Sequence, residues 1–247
     1  MNKIELVATF EDTQNTVNSN SEFQLSKTSK YIISDIIEPD GNLIANIQTI
    51  NSDTVSAASN FVRQGKTAIL NMASYKRPGG GVANGAKAQE ECLFRCSNLF
   101  NAIPNTFYPL DINEGLYTND AVFFKDKDYN KIDPFKVDVI TVAAINLNKD
   151  NTQEVLDSYD TIMLNKIRLM FDMAYKNKCE NIILGAWGCG VFNNNPIHVA
   201  NMFEEAIMRR SKITKHSYYE CFKNIIFAVI NDHNSVGDNF DVFQKFF

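Results

Sequence analysis

The sequence predicts a layered α/β fold around a mainly parallel sheet. Four apolar runs of strand length carry that reading: TAILNMA (67–73), VDVITVAAI (137–145), NIILGAW (181–187) and NIIFAVIN (224–231). Near-continuous apolar runs of this kind mark strands buried on both faces. Between them lie helical patterns. In 157–178, Ile167, Met170, Phe171 and Ala174 fall at i, i+3, i+4, i+7, and after Pro196 the residues Val199, Phe203, Ala206 and Ile207 line one side. Strands alternating with amphipathic helices build parallel sheets covered by helices. Two of the strands also run straight into glycine-rich loops, and ligands of such sheets sit beyond the carboxyl ends of the strands.

Taken in order, the first 20 residues are polar and read as loosely held. YIISDII (31–37) and NIQTI (46–50) read as short strands around the turn-like PDGN. SDTVSAASNFVRQG (52–65) reads as a helix, with Asp53 as its cap, Ala57, Phe61 and Val62 as a partial apolar face and Gly65 as its stop. AQEECLFRCSNLF (88–100) reads as the helix behind the first glycine loop. Residues 101–135, with Pro104, Pro109 and Pro134, read as irregular, with a hairpin around GLYTNDAVFF. Pro196 suits the first turn of a helix, because its missing N–H has no intrahelical partner there. No repeat or low-complexity linker divides the chain, so residues 1–247 read as one domain, with 1–40 the least certain part.

Composition narrows the function. The formal net charge is −5, with no Lys/Arg stripe, which argues against a reader of duplex nucleic acid. No apolar run approaches the roughly 20 residues of a membrane span. Five scattered cysteines and a polar start without a signal peptide point to a reducing, intracellular, cytoplasmic setting. The histidines His198, His216 and His233 make no metal-ligand spacing, and no nucleophile–histidine constellation stands out.

Residues 77–91, RPGGGVANGAKAQEE, carry the chemistry. Gly79, Gly80 and Gly81 read as a backbone cradle for a phosphate or a ribose, since bare N–H groups in a glycine loop make an anion-binding concavity. Glu90 and Glu91 follow. Neighbours on a helix point about 100° apart, so their tasks differ: one binds and one transfers a proton. A carboxyl enclosed near phosphates should have a raised pKa, suited to an acid near neutral pH. The second loop, GAWGCGVF (185–192), makes the other wall, with the amino end of the Pro196 helix directed back at it. Phe192 either joins the core or packs on a sugar ring.

The segment LNMASYKRPGGGVANGAKAQEECLFRCSNL resembles the signature of the microbial poly(ADP-ribose) glycohydrolases, a branch of the macrodomain superfamily: three glycines, six to eight residues, then QEE. Seven residues separate Gly81 from Gln89 here. INSDTVSAASNFVRQGK, GLYTNDAVFFKD, VDVITVAAIN and ILGAWGCGVFNNNPIHVANMF are similar to family segments in family order, so that the likeness spans roughly 45–235.

The resemblance implies a macrodomain-like three-layer α/β/α fold with a mixed, mainly parallel sheet. It implies cleavage of ribose–ribose O-glycosidic bonds from chain ends, with release of ADP-ribose, and no cofactor or metal. Glu91 takes the role of acid and then base, while Glu90 and Gln89 hold ribose hydroxyls. Gly79, Gly80, Gly81 and Val82 run along the diphosphate and the distal ribose. Gly188, Cys189, Gly190, Val191 and Phe192 take the opposite side, and Phe227 the adenine end. Ser74 stands where many macrodomains carry Asn. The alternatives are a hydrolase of single ADP-ribose units on protein or nucleic acid, and a module that binds ADP-ribose without cutting.

Overall fold

The computed structural model describes residues 1–35, 37–149, 151–231 and 238–247. In chain order the elements are α1 (Lys3–Asn18), β1 (Lys27–Ile32), β2 (Asn46–Ile50), α2 (Thr54–Phe61), β3 (Thr67–Met72), α3 (Gln89–Cys96), α4 (Leu99–Ala102), β4 (Glu114–Lys125), β5 (Lys131–Val142), α5 (Gln153–Asp157), α6 (Tyr159–Lys176), β6 (Asn181–Leu184), α7 (Pro196–Met208), β7 (Asn224–Ala228) and α8 (Asn239–Phe246). The strands form one sheet in the order β1-β4-β5-β3-β6-β7-β2. Pairing is parallel from β5 through β3, β6 and β7 to β2, and antiparallel at β1-β4 and β4-β5.

Side-chain alternation sorts the core into two halves. Ala68, Leu70, Ile225 and Phe227 face the layer of α6, α7 and α8, while Ile69, Ile226 and Ala228 face α1 to α4. This is the mixed, mainly parallel three-layer arrangement expected from the sequence. β3 and β6 are adjacent and parallel, so the loops that leave their carboxyl ends meet at one edge of the sheet. Among the described residues no helix is long and apolar enough to cross a membrane.

Three local expectations are corrected. The opening residues are not loose. They form α1, started by a capping box in which Asn2 and Glu5 exchange hydrogen bonds of 2.8 and 3.0 Å. Its buried stripe is Leu6, Phe10, Thr13 and Val17. Next, the stretch GLYTNDAVFF is not a hairpin. It lies within the twelve-residue β4, interrupted by a register shift between Thr118 and Ala121, with Asp120 at φ +51°. The turn comes later, at 126–130, where the Asp126 N–H donates to the Asn130 carbonyl at 2.9 Å. Finally, the strand read at 31–37 lies at 27–32, and β1 and β2 stand at opposite edges of the sheet. Ile36 of that segment lies outside the described residues.

α1 reaches the site through Arg95, which is fully buried on α3. Its Nε donates to the Leu6 carbonyl at 3.1 Å, and its Nη2 donates to those of Val82 (3.2 Å) and Ala86 (2.8 Å). One guanidinium thus ties the first helix to the loop ahead of the two glutamates. Arg95→Met would leave three carbonyls without this donor. The expected cost is about 3 kcal/mol, a fall in Tm of roughly 6–12 °C by thermal unfolding. A fall under about 2 °C would show that α1 is not held this way.

Candidate active site

A cleft of about 1010 Å³ opens at the carboxyl ends of β3 and β6. Glu90 and Glu91 line it although only 3% and 7% exposed. Both are held by main-chain amides. Glu91 Oε1 accepts from the Gly81 N–H at 2.9 Å, and its Oε2 accepts from the Ala88 N–H at 2.8 Å, closing the first turn of α3. Glu90 Oε2 accepts from the Ser74 N–H at 2.7 Å, and its Oε1 accepts from the Gly79 N–H at 3.2 Å. The two carboxyls therefore leave α3 in different directions and are each fixed at both oxygens, as the helix geometry requires.

This assigns the three glycines a task other than the one expected. The N–H groups of Gly79 and Gly81 are taken by the two carboxyls, and that of Gly80 by the Arg77 carbonyl at 3.3 Å. None is left for a phosphate. Glycine is needed because the loop turns at φ +71° and +53° at Gly79 and Gly80 and lies directly on the carboxyls. A Cβ on Gly80 would stand 2.6 Å from Glu91 Oε1 and 2.9 Å from Glu90 Oε2. Val82, read as part of the same wall, is 2% exposed and packs in the core with Phe94 and Leu93.

The second loop has the opposite character. Among the described residues, the N–H groups of Gly188, Gly190, Val191 and Phe192 make no hydrogen bond. The carbonyls of Val191 and Phe192 are drawn away by Asn148 Nδ2 (2.7 Å) and the Leu147 N–H (3.0 Å). Asn194, fully buried, shapes the turn by donating to the carbonyls of Gly188 and Ile145, both at 2.9 Å. Free amides in a turned loop are able to take an anion, and the first loop has none to offer. Cys189 does not join it, since its thiol is buried and its N–H is bonded to the Ala186 carbonyl. The amino end of α7 is closed as well: Asn195 accepts from the N–H groups of Ile197 and His198 at 3.0 and 3.1 Å.

The other sequence-predicted residues divide. Ser74 and the half-buried Phe192 line the cleft. Gln89 also lines it, but both ends of its amide are occupied. Oε1 accepts from the Met72 N–H at 2.9 Å, and Nε2 donates to the Leu70 carbonyl at 2.6 Å and Thr54 Oγ1 at 3.2 Å. It therefore fixes α3 to β3 and α2 rather than reaching out to a ribose. Phe227 is in the wrong layer for the adenine end. It is fully buried on the α7–α8 side, stacked on Phe247 with ring centres 4.2 Å apart. All five cysteines are free thiols, and only Cys92 lines the cleft. His233 lies outside the described residues. Among the described residues no cluster of His, Cys, Asp or Glu could hold a metal ion.

Asn71 was not singled out from sequence. It is fully buried on β3, and its Nδ2 lies 3.3 Å from Glu90 Oε1 and 3.3 Å from Thr141 Oγ1. Its signal was an amide inside the otherwise apolar run TAILNMA, since a buried polar group needs a partner.

Burial pushes Glu90 up from 4.5 to about 8, reinforced by the neighbouring Glu91 and opposed by the N–H donors from Ser74 and Gly79 and by Asn71. The raised value expected of the acid thus falls on Glu90. A proton held on Glu90 relieves the repulsion between the two carboxyls.

The linkage sign follows. Between pH 4.5 and about 8 the native chain keeps a proton on Glu90 that the unfolded chain has released, so raising pH through this window lowers stability. Asp172, pushed up to about 7 by burial, acts with the same sign. Tm should therefore fall from pH 5 to pH 8, and by less in Glu90→Gln. Equal slopes in wild type and variant would contradict this.

Residues 6–126 match the family model described as microbial-type PARG, catalytic domain. Solved structures align over nearly the whole chain. The poly(ADP-ribose) glycohydrolase of Thermomonospora curvata matches at TM-score 0.84 and 21% identity, covering 98% of this chain and 99% of that one. The same enzyme bound to the inhibitor ADP-HPD matches at TM-score 0.84 and 22% identity, with the same coverage. The Deinococcus radiodurans enzyme in complex with ADP-ribose matches at TM-score 0.77 and 24% identity, covering 90% and 94%. No curated protein matches significantly. Residues 6–126 are thus similar to the microbial-type PARG catalytic domain, and over its length the chain has the fold of the bacterial enzymes.

Proposed function

We propose that this protein is a poly(ADP-ribose) glycohydrolase that cuts the ribose–ribose O-glycosidic bond and releases ADP-ribose, with Glu91 carrying the proton. The observation that carries this reading is the pairing of two fixed carboxyls with a loop of four free amides across one cleft. The relatives' names agree with it: poly(ADP-ribose) glycohydrolases solved with ADP-ribose or ADP-HPD.

In this reading the diphosphate lies on the N–H groups of Gly188 and Gly190–Phe192, and Phe192 orders the distal ribose. Ser74 Oγ, which accepts from the Lys76 N–H at 3.2 Å, keeps its own proton for a ribose hydroxyl. The adenosine end reaches the apolar lining of Val55, Val229 and Ile230. Glu90 bonds the distal ribose. Glu91 gives its proton to the departing ribose oxygen as the anomeric C–O bond breaks and positive charge gathers at the anomeric carbon. Water then bonds to that carbon, and its proton returns to Glu91.

Incubation with poly(ADP-ribose), with chromatography of the products, tests the reading. Free ADP-ribose is expected. Faster turnover of mono-ADP-ribosylated protein or DNA would favour the mono-hydrolase, and binding of ADP-ribose with no turnover of any conjugate would leave a binding module. The second loop has its own test. A Cβ on Gly188, at φ +77°, would stand 2.6 Å from Asn194 Nδ2. Gly188→Ala is expected to weaken ADP-ribose binding about tenfold by calorimetry, since loop closeness to phosphate depends on that turn. Unchanged affinity would remove this loop from the diphosphate site.

A further inference from the structure

Three cations lie beside Ser74 and the second loop, at one rim of the cleft, and among the described residues no carboxylate pairs with them. Lys76 and Arg77 follow Ser74, and Lys149 lies on the loop after β5, beside the Asn148 and Leu147 contacts to Val191 and Phe192. Lys149 Nζ donates to Tyr75 Oη at 2.8 Å and lies 4.7 Å from the ring centre. Lys76 Nζ lies 5.9 Å from the same centre. The Tyr75 main chain is fixed by the Leu110 N–H, which donates to its carbonyl at 2.8 Å.

Among the described residues none of the three cations is in an ion pair, although acids outnumber bases by 29 to 24 in the chain. The approach of Lys149 draws Lys76 below the usual lysine range. The two lysines at one ring and the arginine next in the chain repel one another, and an anion placed among them relieves that repulsion. Ser74, Glu90 and Phe192, the wall nearest this rim, are the residues assigned above to the distal ribose and the bond that is cut. Beyond that bond a poly(ADP-ribose) chain presents another unit with its own diphosphate.

We propose that Lys76 and Lys149, set around Tyr75, form with the neighbouring Arg77 a docking surface for the leaving part of the substrate, an anionic strand with diphosphates beyond the scissile bond. This rests on the glycohydrolase reading and extends it to a second unit of the chain. The surface favours polymer over a single ADP-ribose on a protein side chain, which has no phosphate on that side.

The test compares wild type with the triple variant Lys76→Ala/Arg77→Ala/Lys149→Ala on two substrates, poly(ADP-ribose) and the p-nitrophenyl glycoside of ADP-ribose. On polymer at low salt, kcat/KM is expected to fall about tenfold, through KM. The slope of log kcat/KM against log salt is expected to become shallower by about 2, as for three lost phosphate contacts on a single strand. On the aryl glycoside the two proteins are expected to agree within about twofold, since that leaving group has no phosphate. A polymer kcat/KM within twofold of wild type with an unchanged salt slope would overturn the proposal, as would an equal loss on both substrates. Failure of the glycohydrolase reading is separate, because it shows in the wild type alone as uncut polymer. Filter binding of polymer, with and without the triple substitution, then decides the docking surface without turnover: a tenfold loss supports it and equal binding overturns it.

Discussion

Glu91→Gln is expected to lower the rate of ADP-ribose release from poly(ADP-ribose) by about a thousandfold, the scale of a lost general acid. The effect should fall on kcat. Affinity for ADP-ribose should stay within about threefold, because the amide keeps the size of the acid and the diphosphate loop is untouched. The substitution also has a structural cost. Glu91 accepts one N–H at each oxygen, from Gly81 and Ala88. Glutamine can accept only one and turns a donor toward the other, at a cost of about 1–3 kcal/mol. Thermal unfolding therefore belongs beside the kinetics: a folded variant that binds ADP-ribose and does not cut it is the expected result. Near wild-type turnover would pass the proton to another group, and Glu90 is the first candidate.

Gly80→Ala should also lower the rate, although both glutamates stay in place. A methyl group there would stand within 2.6 Å of Glu91 Oε1 and 2.9 Å of Glu90 Oε2, and the residue's φ of +53° disfavours alanine. The backbone strain itself is small, about 1 kcal/mol. The displacement matters more, because an acid moved by about 1 Å can lose about a hundredfold in rate. Expected is a fall of about a hundredfold in kcat with a Tm lowered by only roughly 2–4 °C. If kcat holds within threefold, the glycine is there for chain direction alone and the close contact has no catalytic weight.

Much of the fold was legible because its signals are local. Asp53 caps α2 by accepting from the Ser56 N–H, Pro196 sits in the first turn of α7, and β2 spans Asn46–Ile50 as the pattern NIQTI predicts. Where local signals were weak, the reading failed. α1 buries only four side chains on a polar helix, one of them Thr13, and its place is set by distant partners: Thr13 Oγ1 accepts from Lys125 Nζ and donates to the Arg95 carbonyl. In β4 the Asn119–Asp120 pair carries a turn signal that the sheet absorbs as a register shift. Phe227 shows a limit of period-two reasoning. In NIIFAVIN both faces are apolar, so nothing in the run says which of Phe227 and Ala228 faces which layer.

The site was legible in its parts and misread in its connections. Glycines and glutamates were found, but not that the chain folds back so that the amides of Gly79 and Gly81 meet the carboxyls of Glu90 and Glu91. Such a contact depends on where α3 sits, and α3 is placed by Arg95, Gln89 and the buried strand behind it. The puzzle of carboxyls beside phosphates has a physical answer in that geometry. The first loop's donors surround the acids, the second loop's donors are left free, and burial pushes Glu90 up to about 8.

A crystal structure with ADP-ribose bound tests this division most directly. The account places the diphosphate oxygens within hydrogen-bond distance of the N–H groups of Gly190, Val191 and Phe192, and the distal ribose against Glu90 and Glu91, with the bonds from Gly79 and Gly81 to the carboxyls intact. A diphosphate seated on the amides of Gly79–Gly81, with the carboxyls displaced, would contradict it.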